Sequence, residues 1–206
     1  MTKFIKSLAL IMMLMLPIHA VSGGLALADT HGRVIEELSN HFASVPTMTG
    51  EFIQFGPNGE QTGGQFFIQR PGKLRFEYEA PSPLMLVSNG KTIGVRNKKL
   101  KTWQYMPLRK NPLSILLADQ ISVSDKSIRS VDSNEDVTRV VMGDKSIFGD
   151  SEIVLLFDPL NYDLRQWTIK DNQGKETSVM IFNVQKNVPI PSKLFQLRKN
   201  RVKDSP

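Results

Sequence analysis

Gly63-Gly64-Gln65-Phe66-Phe67-Ile68-Gln69-Arg70-Pro71-Gly72-Lys73-Leu74-Arg75-Phe76-Glu77-Tyr78 is the stretch that decides the fold. Its side chains alternate with a period of two. Phe66, Ile68, Leu74, Phe76 and Tyr78 share one face, while Gln65, Gln69, Lys73, Arg75, Glu77 and the following Glu79 take the other. That is the pattern of strands with one buried side. Pro71-Gly72 divides the stretch into two strands joined by a tight turn. Arg70 falls on the apolar face. A guanidinium facing an apolar surface must be paired, hydrogen-bonded or reached by water, because an isolated buried charge is very costly. Arg70 is therefore a candidate switch or clasp.

Outward from this stretch the same punctuation recurs. Met48 to Phe55 precedes Gly56-Pro57-Asn58-Gly59, Lys73 to Glu79 precedes Pro81-Ser82-Pro83, and Leu84 to Ser88 precedes Asn89-Gly90. These read as antiparallel strands with short connections. Asn89-Gly90 predicts a two-residue type I′ hairpin, whose central residues both need positive φ. Lys91 to Val95 returns from it, and a further hairpin runs through Lys99 to Tyr105. The pattern resumes from Val137 with Ile153 to Phe157, Leu164 to Lys170, the turn Asp171-Asn172-Gln173-Gly174, and Thr177 to Gln185. Val34, Leu38, Phe42 and Val45 instead recur at helical spacing, with Asp29 or Thr30 as N-cap and the end near Pro46. A second helix is expected over Pro112 to Ala118, capped by Asn111, and its Leu113-Ser114-Ile115-Leu116-Leu117 is too apolar for a solvated loop. The expected fold is mainly β: one long antiparallel sheet curled on itself, with a few helices over its open side.

Lys3 and Lys6 precede an apolar run from Leu8 to Leu16, and Ala26-Leu27-Ala28 places small residues at a cleavage site, so residues 1–28 read as a secretory signal peptide. The run is broken by Pro17 and His19 and is shorter than the roughly 20 apolar residues of a membrane span. No Cys precedes Asp29, which excludes a lipid-modified N-terminus. The remaining 206 minus 28, or 178, residues fit one domain, 29–206, ending in a basic, disordered tail from about residue 198. Removing the two lysines lowers the formal charge from +6 to +4. With no cysteine in the chain, the exported domain must hold together by packing. Lys98, Lys99, Lys101, Arg109 and Lys110 are the densest basic group, but acidic residues are interspersed elsewhere and an exported address argues against nucleic acid.

Met48-Thr49-Gly50-Glu51-Phe52-Ile53-Gln54, Gly64 to Arg70-Pro71, and Pro81 followed by Leu86-Val87-Ser88-Asn89-Gly90-Lys91-Thr92 resemble, in order, the first strand, second strand and central hairpin of the bacterial outer-membrane lipoprotein carrier proteins, the LolA family. Phe157-Asp158-Pro159, Leu164-Arg165-Gln166-Trp167 and Val188-Pro189-Ile190 with Phe195 resemble further blocks. The resemblance implies an unclosed antiparallel β-barrel with a helical lid over an apolar cavity. It implies a monomeric periplasmic chaperone of a Gram-negative bacterium, which takes lipoproteins by their acyl chains from an inner-membrane ATP-driven exporter to an outer-membrane receptor. No cofactor or metal is implied. Phe52, Phe66, Ile68, Leu74, Phe76, Leu86, Leu113, Ile115, Leu116 and Leu117 are the acyl-chain-binding residues on this reading, and Arg70 is the lid clasp that hydrogen-bonds lid-helix backbone. Leu74 stands where the family carries an aromatic, Phe76 where it carries tryptophan, and Asn89 where aspartate is common. Gly94 replaces a common aromatic and is expected to reshape the cavity wall.

Core packing predicts the same apolar pattern as cavity lining, and a structural arginine at a strand end is the plain reading of Arg70. Trp103 and Trp167 read as packing or rim residues. Gly149-Asp150-Ser151-Glu152 superficially resembles a lipase nucleophile block, yet His31 and His41 are the only histidines after residue 28 and both precede it. No G-x-S-x-G elbow or Cys/His metal cluster occurs there either, so enzymatic function is excluded. The competing function is a specialised amphiphile binder or envelope sensor on the same half-barrel.

Overall fold

The computed structural model describes residues 23–121 and 126–198, with side chains from residue 32 onward. The apolar leader run and the tail beyond Arg198 lie outside the described residues. One antiparallel sheet of eleven strands dominates, in the order β6-β5-β4-β3-β2-β1-β11-β10-β9-β8-β7. The strands are β1 (Thr47–Phe55), β2 (Gln61–Gln69), β3 (Lys73–Tyr78), β4 (Leu84–Asn89), β5 (Thr92–Asn97), β6 (Thr102–Pro107), β7 (Ile128–Ser133), β8 (Thr138–Met142), β9 (Glu152–Phe157), β10 (Leu164–Lys170) and β11 (Glu176–Lys186). Two meanders, β1 to β6 and β7 to β11, are joined along β1 and β11. β6 and β7 remain edges, so the sheet is an unclosed barrel.

Ring geometry shows the curl. β3 and β10 lie four strand spacings apart, about 19 Å in a flat sheet. Yet Phe76 of β3 stacks on Trp167 of β10 with centroids 5.9 Å apart and planes 8° from parallel. One cluster of buried side chains accordingly collects the concave face of both meanders, including Phe52, Phe66, Leu155, Phe157 and Val179.

Helix α1 (Gly23–Ser44) covers this face with Leu38, Phe42 and Val45, leaving Glu36, Glu37 and Asn40 outside or at the edge. Its backbone is helical six residues upstream of the expected cap at Asp29. Leu25-Ala26-Leu27-Ala28 are all strong helix formers, so no stop signal intervenes. Helix α2 is a single turn (Leu113–Leu116) in the connection between β6 and β7, shorter than expected. Asn111 does serve its start, its Oδ1 accepting the Leu113 N–H at 2.9 Å. A third short helix, α3 (Lys145–Phe148), begins at Asp144, whose carboxylate accepts the Ser146 N–H.

One turn expectation is corrected. Gly90 has φ +100°, but Asn89 is not in the left-handed region. Asn89 instead accepts the Lys91 and Thr92 N–H groups on its Oδ1 at 3.0 and 2.9 Å. The connection is an Asx turn over Gly90 and Lys91, one residue on from the expected pair, because Asn side chains mimic a backbone turn. Asp171, by contrast, heads the expected turn, accepting from Gln173 and Lys175, with Gly174 at φ +78°.

The convex face of β3 to β6 is also covered. Residues 188–198 cross it through a 3₁₀ turn at Ser192–Phe195, and Arg75 donates to the Leu194 carbonyl at 3.0 Å. Phe195, Met85 and Val87 are buried there. This explains why β4 is apolar at both parities.

Candidate functional site

The turn after β2 is the hub. Arg70, only 7% exposed, donates from Nε to the Leu116 carbonyl at 3.2 Å and from Nη1 to the Val45 carbonyl at 2.5 Å. Its guanidinium carbon lies 3.8 Å from the centre of the Phe42 ring. The acceptors are the last residue of α2 and the residue after α1, where helices leave carbonyls unsatisfied and favour a cation. Burial pulls the guanidinium below its ordinary value to about 10, so it stays charged at neutral pH.

Backbone bonds reinforce the same hub. The Arg70 N–H donates to the Pro46 carbonyl at 2.8 Å, and the Gly72 N–H to the Leu117 carbonyl at 2.7 Å. Gly72 has φ +78°, and a Cβ there would come within 2.7 Å of Gly90 Cα, so the turn needs glycine. Ser88, fully buried on the concave side of β4, donates its hydroxyl to the Gly72 carbonyl at 2.6 Å. A stretch of three residues thus holds the ends of both covering helices.

A second set of contacts ties α1 to the far side of the sheet. Asp163, in the β9–β10 turn, pairs with His41 of α1 at 2.8 Å and with Lys186 of β11 at 2.8 Å. Tyr162 donates its hydroxyl to Glu37 at 2.9 Å. Its phenol is raised above the ordinary value, first by desolvation and then by that bond. Behind this polar rim is a cleft of about 120 Å³, walled by Phe42, Val45, Met48, Phe157, Leu164 and Val184 and reaching Arg70.

All ten expected acyl-chain residues lie in or against one apolar cluster. Phe52, Phe66, Ile68, Leu74, Phe76, Leu113, Leu116 and Leu117 are buried, and Leu86 and Ile115 are half-buried against them. Among the described residues, buried side chains crowd the concave face. The 120 Å³ cleft is well short of the roughly 300 Å³ at which small-molecule pockets begin. Leu74, opposite Ser88, and Phe76, opposite Leu86, line the centre of the concave wall. The expectation for Gly94 is overturned. It faces the convex side, where a Cβ would meet Leu197 Cδ2 at 2.7 Å and Trp103 Cζ3 at 3.0 Å. The missing side chain makes room for the C-terminal segment. Trp167 is packed inside, and Trp103 stacks on Tyr105 outside.

The expected basic group is split by the fold. Lys98, Lys99 and Lys101 occupy the β5–β6 connection, whereas Arg109 and Lys110 follow β6 at its other end, about 20 Å away along the strand. The rim of Asp163, His41 and Lys186 gave no sequence signal: its members are 122 and 23 residues apart. No group of three or more acidic, His or Cys side chains is placed to hold a metal among the described residues.

The family profile described as "Outer membrane lipoprotein carrier protein LolA" matches residues 43–198. The chain belongs to the LolA family. The outer-membrane lipoprotein carrier protein of Azotobacter vinelandii is 25% identical over 196 residues, covering 87% of this chain and 90% of that protein. Its counterpart in Pseudomonas aeruginosa is 27% identical over 190 residues, covering 85% and 88%. A putative outer membrane lipoprotein-sorting protein domain from Vibrio parahaemolyticus superposes with a TM-score of 0.50 at 10% identity, over 82% of this chain and 97% of that one, a likeness of fold alone. Within this LolA chain no helix among the described residues is long and apolar enough to cross a membrane.

Proposed function

We propose that this chain is a periplasmic chaperone of a Gram-negative bacterium. Its single domain, residues 29–206, receives the acyl chains of lipoproteins beneath α1 and α2 and carries them from an inner-membrane exporter to an outer-membrane receptor, without enzymatic chemistry. The observation that carries the reading is the position of Arg70. Arg70, the one buried cation among the described residues, joins the ends of both covering helices over a largely apolar interior. A core meant only to be filled has no need of it, since charge burial is poor value for stability alone.

The energetics favour reversible loading. Each buried methylene is worth about 0.8 kcal/mol, so an acylated cargo cannot travel through water unshielded. A latch of a few kcal/mol is offset by the first handful of methylenes that replace α1 and α2 against the concave face. The same small margin permits release to a better binder.

Adding the purified, processed chain to spheroplasts of its host tests this directly. Newly made lipoproteins of many kinds should appear in the soluble fraction bound to it. Absence of release by the folded protein would overturn the carrier role and leave an amphiphile binder or envelope sensor.

A further inference from the structure

Beside the cleft between α1 and the β9–β10 turn, Arg70 keeps one donor that no described residue uses. Arg70 Nη2 is buried and has no acceptor among the described residues, although Nε and Nη1 of the same guanidinium are bonded. A buried donor without a partner is costly, more so on a charged group. Arg70 lines this cleft, so an acceptor brought through it can reach the guanidinium.

The order of surfaces along the cleft indicates what that acceptor is. At the rim are Asp163, His41 and Lys186, joined by bonds of 2.8 Å. Arg70 lines the same cleft. Leading away from it along β2, on the face that Arg70 shares by parity, are Ile68 and Phe66, both fully buried, with Phe66 about 13 Å further along. Polar group, single hydrogen-bond donor, then hydrocarbon is the sequence met on passing along an acylated molecule from its head, through the ester or amide carbonyl, into the chain. Resting on the reading that acyl chains occupy the interior, we infer that this cleft seats the carbonyl junction of the cargo: Arg70 Nη2 donates to an ester or amide oxygen, the chain runs inward past Ile68, and the polar part leaves over Asp163.

Seating a carbonyl there requires α1 to swing from the β9–β10 turn, because His41 and Phe42 form the helix side of the cleft. The His41–Asp163 bond is thus a part of the closure that the cargo must break.

The test compares 1-dodecanoylglycerol with 1-O-dodecylglycerol, which share chain and head but differ in the carbonyl oxygen. Binding to the full chain is followed by calorimetry. The ester should bind about tenfold more tightly, as expected for one hydrogen bond from a charged donor. Arg70→Leu, with its fold checked by circular dichroism, should bind both equally. A measurement on the wild type guards against a misfolded variant: the infrared stretch of a 13C-labelled ester carbonyl should move to lower wavenumber on binding than in hydrocarbon solvent. Equal affinities in the wild type, an ester preference that survives in folded Arg70→Leu, or a carbonyl stretch unchanged from hydrocarbon would overturn the assignment while leaving acyl binding intact. Binding of neither probe would sink it together with the acyl-carrier reading.

Discussion

Replacing Arg70 with leucine should unlatch α1 and α2 without unfolding the sheet, because leucine suits a concave-face position between buried apolar neighbours. Two bonds from the guanidinium, at 3.2 and 2.5 Å, are lost, at about 1.5–3 kcal/mol each for a charged donor. The contact with Phe42 at 3.8 Å adds about 2 kcal/mol for a desolvated cation over a ring. Against this stands the relief of desolvation: the depression from the ordinary arginine value to about 10 amounts to about 3 kcal/mol. The latch is therefore worth about 2–5 kcal/mol, and its loss should raise the open population by about thirtyfold or more. Amide hydrogen exchange reads this at one site. The Gly72 N–H is held by the Leu117 carbonyl, so it exchanges when α2 departs, at a rate proportional to the open population when reclosing is fast. Arg70→Leu should accelerate that amide about thirtyfold while amides in β1 and β11 keep their protection. Unchanged exchange at Gly72 in a folded variant would refute the latch.

Three further outcomes follow from the geometry. Ser88→Ala leaves the buried Gly72 carbonyl without the donor now at 2.6 Å and should cost about 1–3 kcal/mol in urea unfolding; a loss near zero would mean the turn does not depend on it. Gly94→Ala pushes a methyl toward Leu197 and Trp103. It should make residues 188–198 easier to cleave in limited proteolysis, with a stability loss of about 1–3 kcal/mol, and unaltered cleavage would contradict the packing described. Burial raises the Tyr78 phenol to about 12, and its hydroxyl donates to Gln54 Oε1 at 2.7 Å. The folded chain thus holds this proton where the unfolded chain, near 10, has lost it. The resulting stabilisation is complete below pH 10 and disappears as pH rises toward 12. The phenolate absorbance missing from Tyr78→Phe should accordingly appear near pH 12 in the folded wild type; its appearance near 10 would show the ring to be solvated.

Much of this was legible because strands declare themselves by alternation. The inward side of Phe66, Ile68, Arg70, Leu74 and Phe76 follows from parity alone, and Pro71-Gly72 marks the hub. What escaped has identifiable causes. β7 reads Ile-Arg-Ser-Val-Asp-Ser, an edge strand too polar to signal itself. Gly94, expected from the resemblance to reshape the cavity wall, instead faces the second buried side that the C-terminal segment gives β4 and β5. The closure at Asp163 depends on His41, 122 residues distant, and no local pattern records such a meeting. Nor does an apolar stripe say whether it is filled. The structure resolves that for the closed state, with Phe66, Ile68 and Leu74 all at 0% exposure.

The central claim is that acyl chains replace α1 and α2 against the concave face. A photo-crosslinking benzoylphenylalanine placed at Phe66, inside, and separately at Phe182, 38% exposed on the convex side, tests it most directly. The chains are illuminated while carrying a lipoprotein labelled in its acyl groups. Crosslinks to the label from position 66 and none from 182 are the expected result. Label captured at 182 but not at 66 would contradict the account, placing the lipid on the outside of the barrel.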